Sequence, residues 1–174
     1  MDVMELEFVT DPELTGALKA EIIACWTDVS NAGGAVGFVP PVTADEVRPV
    51  AERDLANAAS GRDRLIVGRA DGRLAALAFI VDGQFALSRH WRTIKRVMIH
   101  PDFQGRGYGA DLMAEVARVG RSMELEMLQL DCRGGTGNDL FYKKCGYTEW
   151  GRLPRALRVE EDDYRDLISL YLPL

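Results

Sequence analysis

A glycine-rich segment that follows an apolar run carries the clearest chemical signal in this sequence. Residues 97–101 read VMIHP, and residues 104–109 read QGRGYG. Backbone that lacks side chains can approach a phosphate closely, and the first N–H groups of a following helix point toward it. Arg106 adds a positive charge to this loop. The segment predicts a phosphate-binding loop, although glycines alone also occur in turns that merely start a helix.

Thiols and imidazoles give a weaker signal. The cysteines are Cys25, Cys132 and Cys145, an odd number with wide spacing, which is typical of small buried apolar residues in a reduced chain. Cys132 has no histidine near it in sequence, so it is not predicted to be a nucleophile. The two histidines, His90 and His100, are too few and too scattered for a familiar zinc site, so no metal site is predicted.

The elements that must position the glycine loop follow from local patterns. Alternation predicts a first strand over residues 5–10, and Asp11-Pro12 opens a helix. Residues 28–41 are predicted to be a long loop, followed by a helix with a capping box at Thr43 and Glu46. Asp71-Gly72 joins two apolar runs, 65–67 and 74–81, as a hairpin.

The second half of the chain alternates strands and helices. Strands are predicted over 93–100, 127–132, 147–150 and 166–172, with a charged arm between the last two. Helices are predicted after the glycine loop and over 138–144. No repeat or linker interrupts the chain, so we expect a single mixed α+β domain over residues 1–174.

Composition bounds the function. The chain has 174 residues, of which 47% are hydrophobic and 28% charged, with a net charge of −6. These values predict a globular protein that does not bind nucleic acid, and no apolar run is long enough to cross a membrane. The acidic segment 1–5 has no signal-peptide pattern, which predicts a cytoplasmic location.

Two interpretations of the glycine loop compete. Gly105, Gly107 and Ala110 match the spacing of a dinucleotide-binding fingerprint, and Asp131 ends the following strand. That fold requires the glycines directly after a strand within parallel βαβ units. Here residues 101–104 intervene and hairpins precede the loop, so this interpretation is disfavoured.

The alternative is a family resemblance. Residues 104–109 (QGRGYG) resemble the Q/R-x-x-G-x-G/A motif of the GCN5-related N-acetyltransferases, the GNAT family, and residues 97–101 resemble the strand end and proline that precede it. Residues 141–147 (FYKKCGY) are similar to a later segment of that family. The three elements occur in the family's order, and the pattern of strands and helices fits from about Glu5 to Leu172.

The resemblance implies a fold and a cofactor. The fold is a mixed, mostly antiparallel sheet of six or seven strands, flanked by about four helices and splayed open as a cleft for acetyl-CoA. Asn138 lies four residues before Tyr142, where the family commonly has a spacing of seven. The implied cofactor-binding residues are Val97, Met98, Ile99, Gln104, Gly105, Arg106, Gly107, Tyr108, Gly109, Ala110 and Asn138.

The resemblance also implies catalytic roles. Tyr142 occupies the family's general-acid position and would protonate the leaving thiolate, the alternative being a packed aromatic ring. Asp131 ends an apolar strand at the open end where ligands bind. As a base it would orient or deprotonate the amine, the alternative being a loop or helix-cap carboxylate.

The acceptor is the least determined part of the function. Residues 28–38, together with Asp131 and Tyr142, resemble the corresponding parts of the tabtoxin-resistance acetyltransferases. This resemblance favours a small-molecule amine as the acceptor and a possible role in toxin or antibiotic resistance. A protein N-terminal or lysine acetyltransferase and a non-catalytic CoA-binding module remain alternatives. The expected assembly is a monomer or a homodimer.

Overall fold

Seven strands form one mixed sheet in the computed structural model, which describes residues 5–174. The order across the sheet is β1-β2-β3-β4-β5-β7-β6, and every neighbouring pair is antiparallel except β4 and β5. The strands are β1 (Glu7–Thr10), β2 (Arg64–Ala70), β3 (Arg73–Val81), β4 (Trp91–Ile99), β5 (Met127–Arg133), β6 (Thr148–Arg158) and β7 (Tyr164–Pro173).

Four helices flank this sheet within the described residues. They are α1 (Gly16–Asn31), α2 (Ala44–Ala59), α3 (Tyr108–Ser122) and α4 (Asn138–Lys144). The predicted capping box begins α2: the Thr43 hydroxyl accepts from the Glu46 amide, and the Glu46 carboxylate accepts from the Thr43 amide. The predicted hairpin turn is also present, with positive φ at both Asp71 and Gly72. The predicted mixed α+β fold is confirmed.

Two buried clusters lie on opposite faces of the sheet. Leu77, Phe79 and Met98 project into the cluster beneath α1 and α2. Ile94 and Leu128 project into the cluster beneath α3 and α4. Alternation along each strand supplies both clusters, because successive side chains point to opposite faces. Over the described ranges, no helix is long and apolar enough to span a bilayer.

Three predicted boundaries are wrong. The first helix begins at Gly16, after the N-cap Thr15, and not at Asp11-Pro12. The loop expected from residue 28 begins later, because α1 continues to Asn31, whose side-chain amide pairs with both backbone groups of Val42 at 2.9 Å. The charged arm expected between the last two strands is itself strand, since β6 and β7 pair as far as Arg158 and Tyr164. Cross-strand hydrogen bonds over this long hairpin override the weak strand propensity of its charged residues. Residues 1–4, part of the segment from which a cytoplasmic location was predicted, lie outside the described residues.

Candidate active site

The site is built where β4 and β5 separate. These parallel strands pair only over Trp91–Thr93 and Met127–Gln129, although β4 continues to Ile99 and β5 to Arg133. A cavity of about 760 Å³ opens beyond the last pair. It is lined by both strands, by the glycine loop and by residues after α1. The splayed cleft that the resemblance implied is therefore present.

A β-bulge turns β4 away from β5. Leu77 pairs with Met98 and Phe79 pairs with Lys95, so β4 carries one more residue than β3 between these pairs. Arg96, within the bulge, has a φ of 56°, a backbone angle that residues other than glycine rarely adopt. A bulge bends its strand and increases the local twist, so the bulge accounts for the divergence of β4 from β5.

The Arg96 side chain fixes this bulge and the loop beside the cavity. Its guanidinium lies 4.9 Å from the centroid of the Trp26 ring, and its Nε donates to an Asp54 carboxylate oxygen at 3.1 Å. Arg96 and the Trp26 indole N–H both donate to the carbonyl of Val36, at 3.3 and 3.0 Å. Sequence reasoning missed Arg96, because β4 also contains Arg92 and Lys95 and a further arginine there carries no distinctive signal.

The glycine loop fits a phosphate group. Gly105 and Gly107 have φ values of 75° and 84°, and Gly107 precedes the first residue of α3. A Cβ built on either glycine would meet no heavy atom within 4 Å, so both backbones border open space. The amides of Gly105, Gly107 and Gly109 have no acceptor among residues 5–174. Unpaired amides at the start of a helix of 15 residues can bind an anion.

The other predicted cofactor residues divide into two groups. Met98 and Arg106 do not line the cavity: Met98 is buried beneath α1, and Arg106 packs over the Phe103 ring and donates to the Asp102 carbonyl at 3.2 Å. Gln104 lines the cavity, but its side-chain amide donates a hydrogen bond to the Ile99 carbonyl, 3.1 Å away. The remaining cofactor candidates also line the cavity, namely Val97, Ile99, Gly105, Gly107, Tyr108, Gly109, Ala110 and Asn138.

Tyr142 lines the same cavity from α4 and is 8% exposed. Its ring contacts those of Phe141 and Tyr147, with centroids 5.1 and 5.9 Å away. Burial, with smaller contributions from Cys132 and Cys145, raises the pKa of the Tyr142 phenol. Like an ordinary tyrosine, the group is protonated at neutral pH, which is the form that a proton donor needs.

Asp131 lies on the other face of β5. Its neighbours Leu130 and Cys132 belong to the buried cluster that contains Tyr142, so alternation directs Asp131 away from that cluster. Its Oδ1 accepts hydrogen bonds from Gln129 Nε2 at 2.8 Å and from Ser169 Oγ at 2.6 Å. Tyr142 and Asp131 thus approach one cavity from opposite faces of the same strand.

The thiols of the chain are poor nucleophiles. Burial raises the pKa of Cys132, which lines the cavity, to about 11, and nearby carboxylates including Asp139 and Asp131 add to the shift. Burial likewise raises the pKa of Cys25 to about 12. The thiolate is the reactive form, so Cys132 is nearly all inert thiol at neutral pH.

His100 joins the end of β4 to α1. Its Nε2 lies 3.2 Å from an Asp28 carboxylate oxygen, and its Nδ1 accepts from the Asp102 amide at 3.2 Å. Both ring nitrogens are thereby engaged within the chain, consistent with the strand-end position predicted for His100. No group of three histidine, cysteine or acidic side chains suited to a metal ion occurs within the part of the chain that the structure describes.

Comparison with known proteins identifies the fold and the family. Residues 61–149, just over half of the chain, match the family model for the acetyltransferase (GNAT) domain. The chain belongs to the GNAT acetyltransferase family. It therefore uses acetyl-CoA as co-substrate for acyl transfer, and the splayed cleft and glycine loop are compatible with that molecule.

Solved structures agree with this fold. A Salmonella typhimurium protein assigned as an acetyltransferase, solved with acetyl-CoA, superposes with a TM-score of 0.76 at 19% identity, covering 99% of this chain and 95% of that one. Ribosomal-protein-alanine N-acetyltransferase from Brucella melitensis superposes with a TM-score of 0.77 at 18% identity, covering 95% of this chain and 99% of that one. A protein assigned as a phosphinothricin N-acetyltransferase superposes with a TM-score of 0.75 at 19% identity, covering 97% of this chain and 99% of that one.

Proposed function

We propose that this chain transfers the acetyl group of acetyl-CoA to a primary amine of a small molecule by direct attack. The observation that carries this proposal is the placement of Tyr142 and Asp131 on opposite faces of β5 around one cavity. An attacking amine and a leaving thiolate need opposite proton transfers on opposite sides of the thioester carbon. A buried phenol on one face and a carboxylate on the other meet that requirement.

The cofactor side of the cleft is assigned to α3 and β4. The backbone amides of residues 105–110 hold the pyrophosphate. The backbone of Val97, Met98 and Ile99 holds the pantetheine arm and polarises the thioester carbonyl, with Met98 contributing backbone only, because its side chain is buried beneath α1. Gln104, Arg106 and Asn138 complete the cofactor-binding set: Gln104 fixes the end of β4, and Arg106 contributes charge at the loop.

The acceptor side is assigned to the Asp131 face. Asp131 attracts and orients the ammonium form of the substrate and accepts its proton, directly or through water. Tyr142 then donates its proton to the departing thiolate. A bound amine thus loses a proton on one face of β5 while the sulfur gains one on the other.

A compact acceptor is supported by the loop after α1. Gly33, Gly34 and Val36 line the cavity, and the carbonyl of Val36 is tied to Trp26 and Arg96. We assign this loop, which forms part of the cavity wall, to the acceptor side. The net charge of −6 favours cationic or zwitterionic amines. A role in toxin or antibiotic resistance belongs to this proposal, as do a cytoplasmic location, a single domain over residues 1–174 and a monomer or homodimer.

A panel of amines tests the proposal. Phosphinothricin, spermidine, free amino acids and an aminoglycoside are incubated with acetyl-CoA, beside a peptide with a free N-terminal alanine and a peptide with an internal lysine and a blocked N-terminus. CoA thiol release and the mass of the product are measured. We expect acetylation of at least one small amine. Acetylation of peptides alone would identify a protein acetyltransferase, and acetyl-CoA binding without turnover would identify a non-catalytic module.

A further inference from the structure

Four polar side chains form a continuous hydrogen-bonded chain across three strands where β4 and β5 separate. Thr93 Oγ1 donates to Gln129 Oε1 at 3.1 Å, and Gln129 Nε2 donates to Asp131 Oδ1 at 2.8 Å. Ser169 Oγ donates to the same Asp131 oxygen at 2.6 Å. Thr93 and Gln129 are also the last residue pair of the β4–β5 ladder.

The sheet register brings these side chains to one face. Asp131 lies directly opposite Ser169 on β7, and Gln129 lies two residues before Asp131 on β5. Side chains two residues apart on a strand share a face, and directly opposed residues are its closest cross-strand neighbours. These hydrogen bonds therefore follow from strand pairing and do not depend on the conformation of a loop.

The direction of each hydrogen bond is fixed by chemistry. An ionised carboxylate only accepts, so the Gln129 amide must turn its NH₂ group toward Asp131 and its oxygen toward Thr93. Thr93 holds that orientation by donating to the Gln129 oxygen. Asp131 Oδ1 then receives two donors, while Oδ2 has no partner among residues 5–174. One carboxylate oxygen is held by the protein and the other is open to a ligand.

We propose that Gln129 and Ser169 are positioning residues that hold Asp131 in the orientation for amine capture, with Thr93 fixing the Gln129 amide. This inference rests on the role proposed for Asp131. An exposed aspartate without such donors exchanges between rotamers and loses entropy when a ligand fixes it. Two donors from different directions fix it in advance, so the acceptor binds more tightly.

The kinetic test uses Ser169→Ala, Gln129→Met and Ser169→Thr, with spermidine and phosphinothricin as probe amines. Hydrogen bonds to charged groups are strong enough that losing either donor is expected to raise the KM for the amine about tenfold, with the KM for acetyl-CoA unchanged. Ser169→Thr keeps the hydroxyl and should restore wild-type values. Ser60→Ala, which removes an exposed hydroxyl at the end of α2, is the control.

A double-mutant cycle separates positioning from a general structural effect. In an Asp131→Ala background, Ser169→Ala and Gln129→Met should have no further effect, because the carboxylate through which they act is gone. Effects that add to that of Asp131→Ala would overturn the positioning role. An Asp131→Ala variant with wild-type kinetics would instead remove the proposed role of Asp131, and this inference with it.

A second measurement does not depend on the acceptor. NMR side-chain couplings of Asp131 report whether its χ1 angle occupies one rotamer or averages over several. We expect one rotamer in the wild type and averaging in the Gln129→Met/Ser169→Ala double variant. Unchanged couplings in the double variant would overturn the proposal even if neither probe amine is acetylated.

Discussion

Replacing Tyr142 by phenylalanine should separate catalysis from folding. The substitution keeps the ring that packs against Phe141 and Tyr147 and removes only the hydroxyl. That hydroxyl has no hydrogen-bond partner among the described residues, so its removal leaves no buried group unpaired. The free energy of unfolding should therefore change by less than about 1 kcal/mol.

The expected effect on turnover is much larger. Loss of a general acid typically slows the chemical step by about 10²- to 10⁴-fold. This corresponds to about 3–5 kcal/mol of activation free energy, since each tenfold change in rate is about 1.4 kcal/mol. Affinity for acetyl-CoA should be little changed, because the phenol acts on the thiolate that forms during the reaction.

Tyr147→Phe is the matched control. Tyr147 contacts Tyr142 edge to face, and burial raises the pKa of its phenol in the same way. Its hydroxyl is fully buried without a hydrogen bond in the described part of the chain, and it does not line the cavity. Removing it should leave turnover unchanged and stabilise the protein by about 1–3 kcal/mol, the cost of an unpaired buried polar group.

The assay combines single-turnover acetyl transfer, to isolate the chemical step, with denaturant unfolding and calorimetric titration of acetyl-CoA. Near wild-type single-turnover rates for Tyr142→Phe would refute the reasoning, because solvent would then be the proton donor and Tyr142 only a packed ring. Equal losses of turnover in Tyr142→Phe and Tyr147→Phe would also refute it, by assigning the effect to packing.

Three further outcomes are expected. Gly107→Glu should abolish acetyl-CoA binding in calorimetric titration by placing a charged side chain at the phosphate site, whereas Gly107→Ala should cost only the strain of its positive φ, about 1–2 kcal/mol of stability; unchanged affinity in folded Gly107→Glu would exclude the phosphate cradle. Asp131→Asn should reduce kcat/KM for the amine, with part of the loss recovered at higher pH, where more of the free amine is deprotonated; a defect that does not depend on pH would place the base elsewhere. Cys132→Ala should retain turnover, and its free energy of unfolding should lack one pH-dependent component of the wild type. Because burial raises the folded pKa of Cys132 from 9.0 to about 11, the neutral thiol stabilises the fold below pH 9, and this stabilisation is lost as pH rises from 9 toward 11. Denaturant unfolding of both proteins at pH 8 and pH 10.5 would detect the difference.

Local sequence determined much of the frame that carries the site. The capping box at Thr43, the hairpin turn at Asp71-Gly72 and helix α4 over residues 138–144 are where the sequence predicts them. Each depends on hydrogen bonds or backbone angles within a few residues, so neighbouring side chains suffice to specify it. The glycine loop is similar, because positive φ at Gly105 and Gly107 is a local property.

Tertiary structure decided where the candidate catalytic groups lie. The sequence indicates Asp131, but its partner Ser169 comes from a strand 38 residues later, and that pairing exists only once β7 aligns with β5. The bulge at Arg96 is likewise held by Asp54 and Val36, which lie 42 and 60 residues away in sequence. Contacts over such separations depend on strand register and helix packing. Local sequence patterns therefore identified Tyr142 and Asp131 as candidates, and only the folded sheet placed them on opposite faces of one strand.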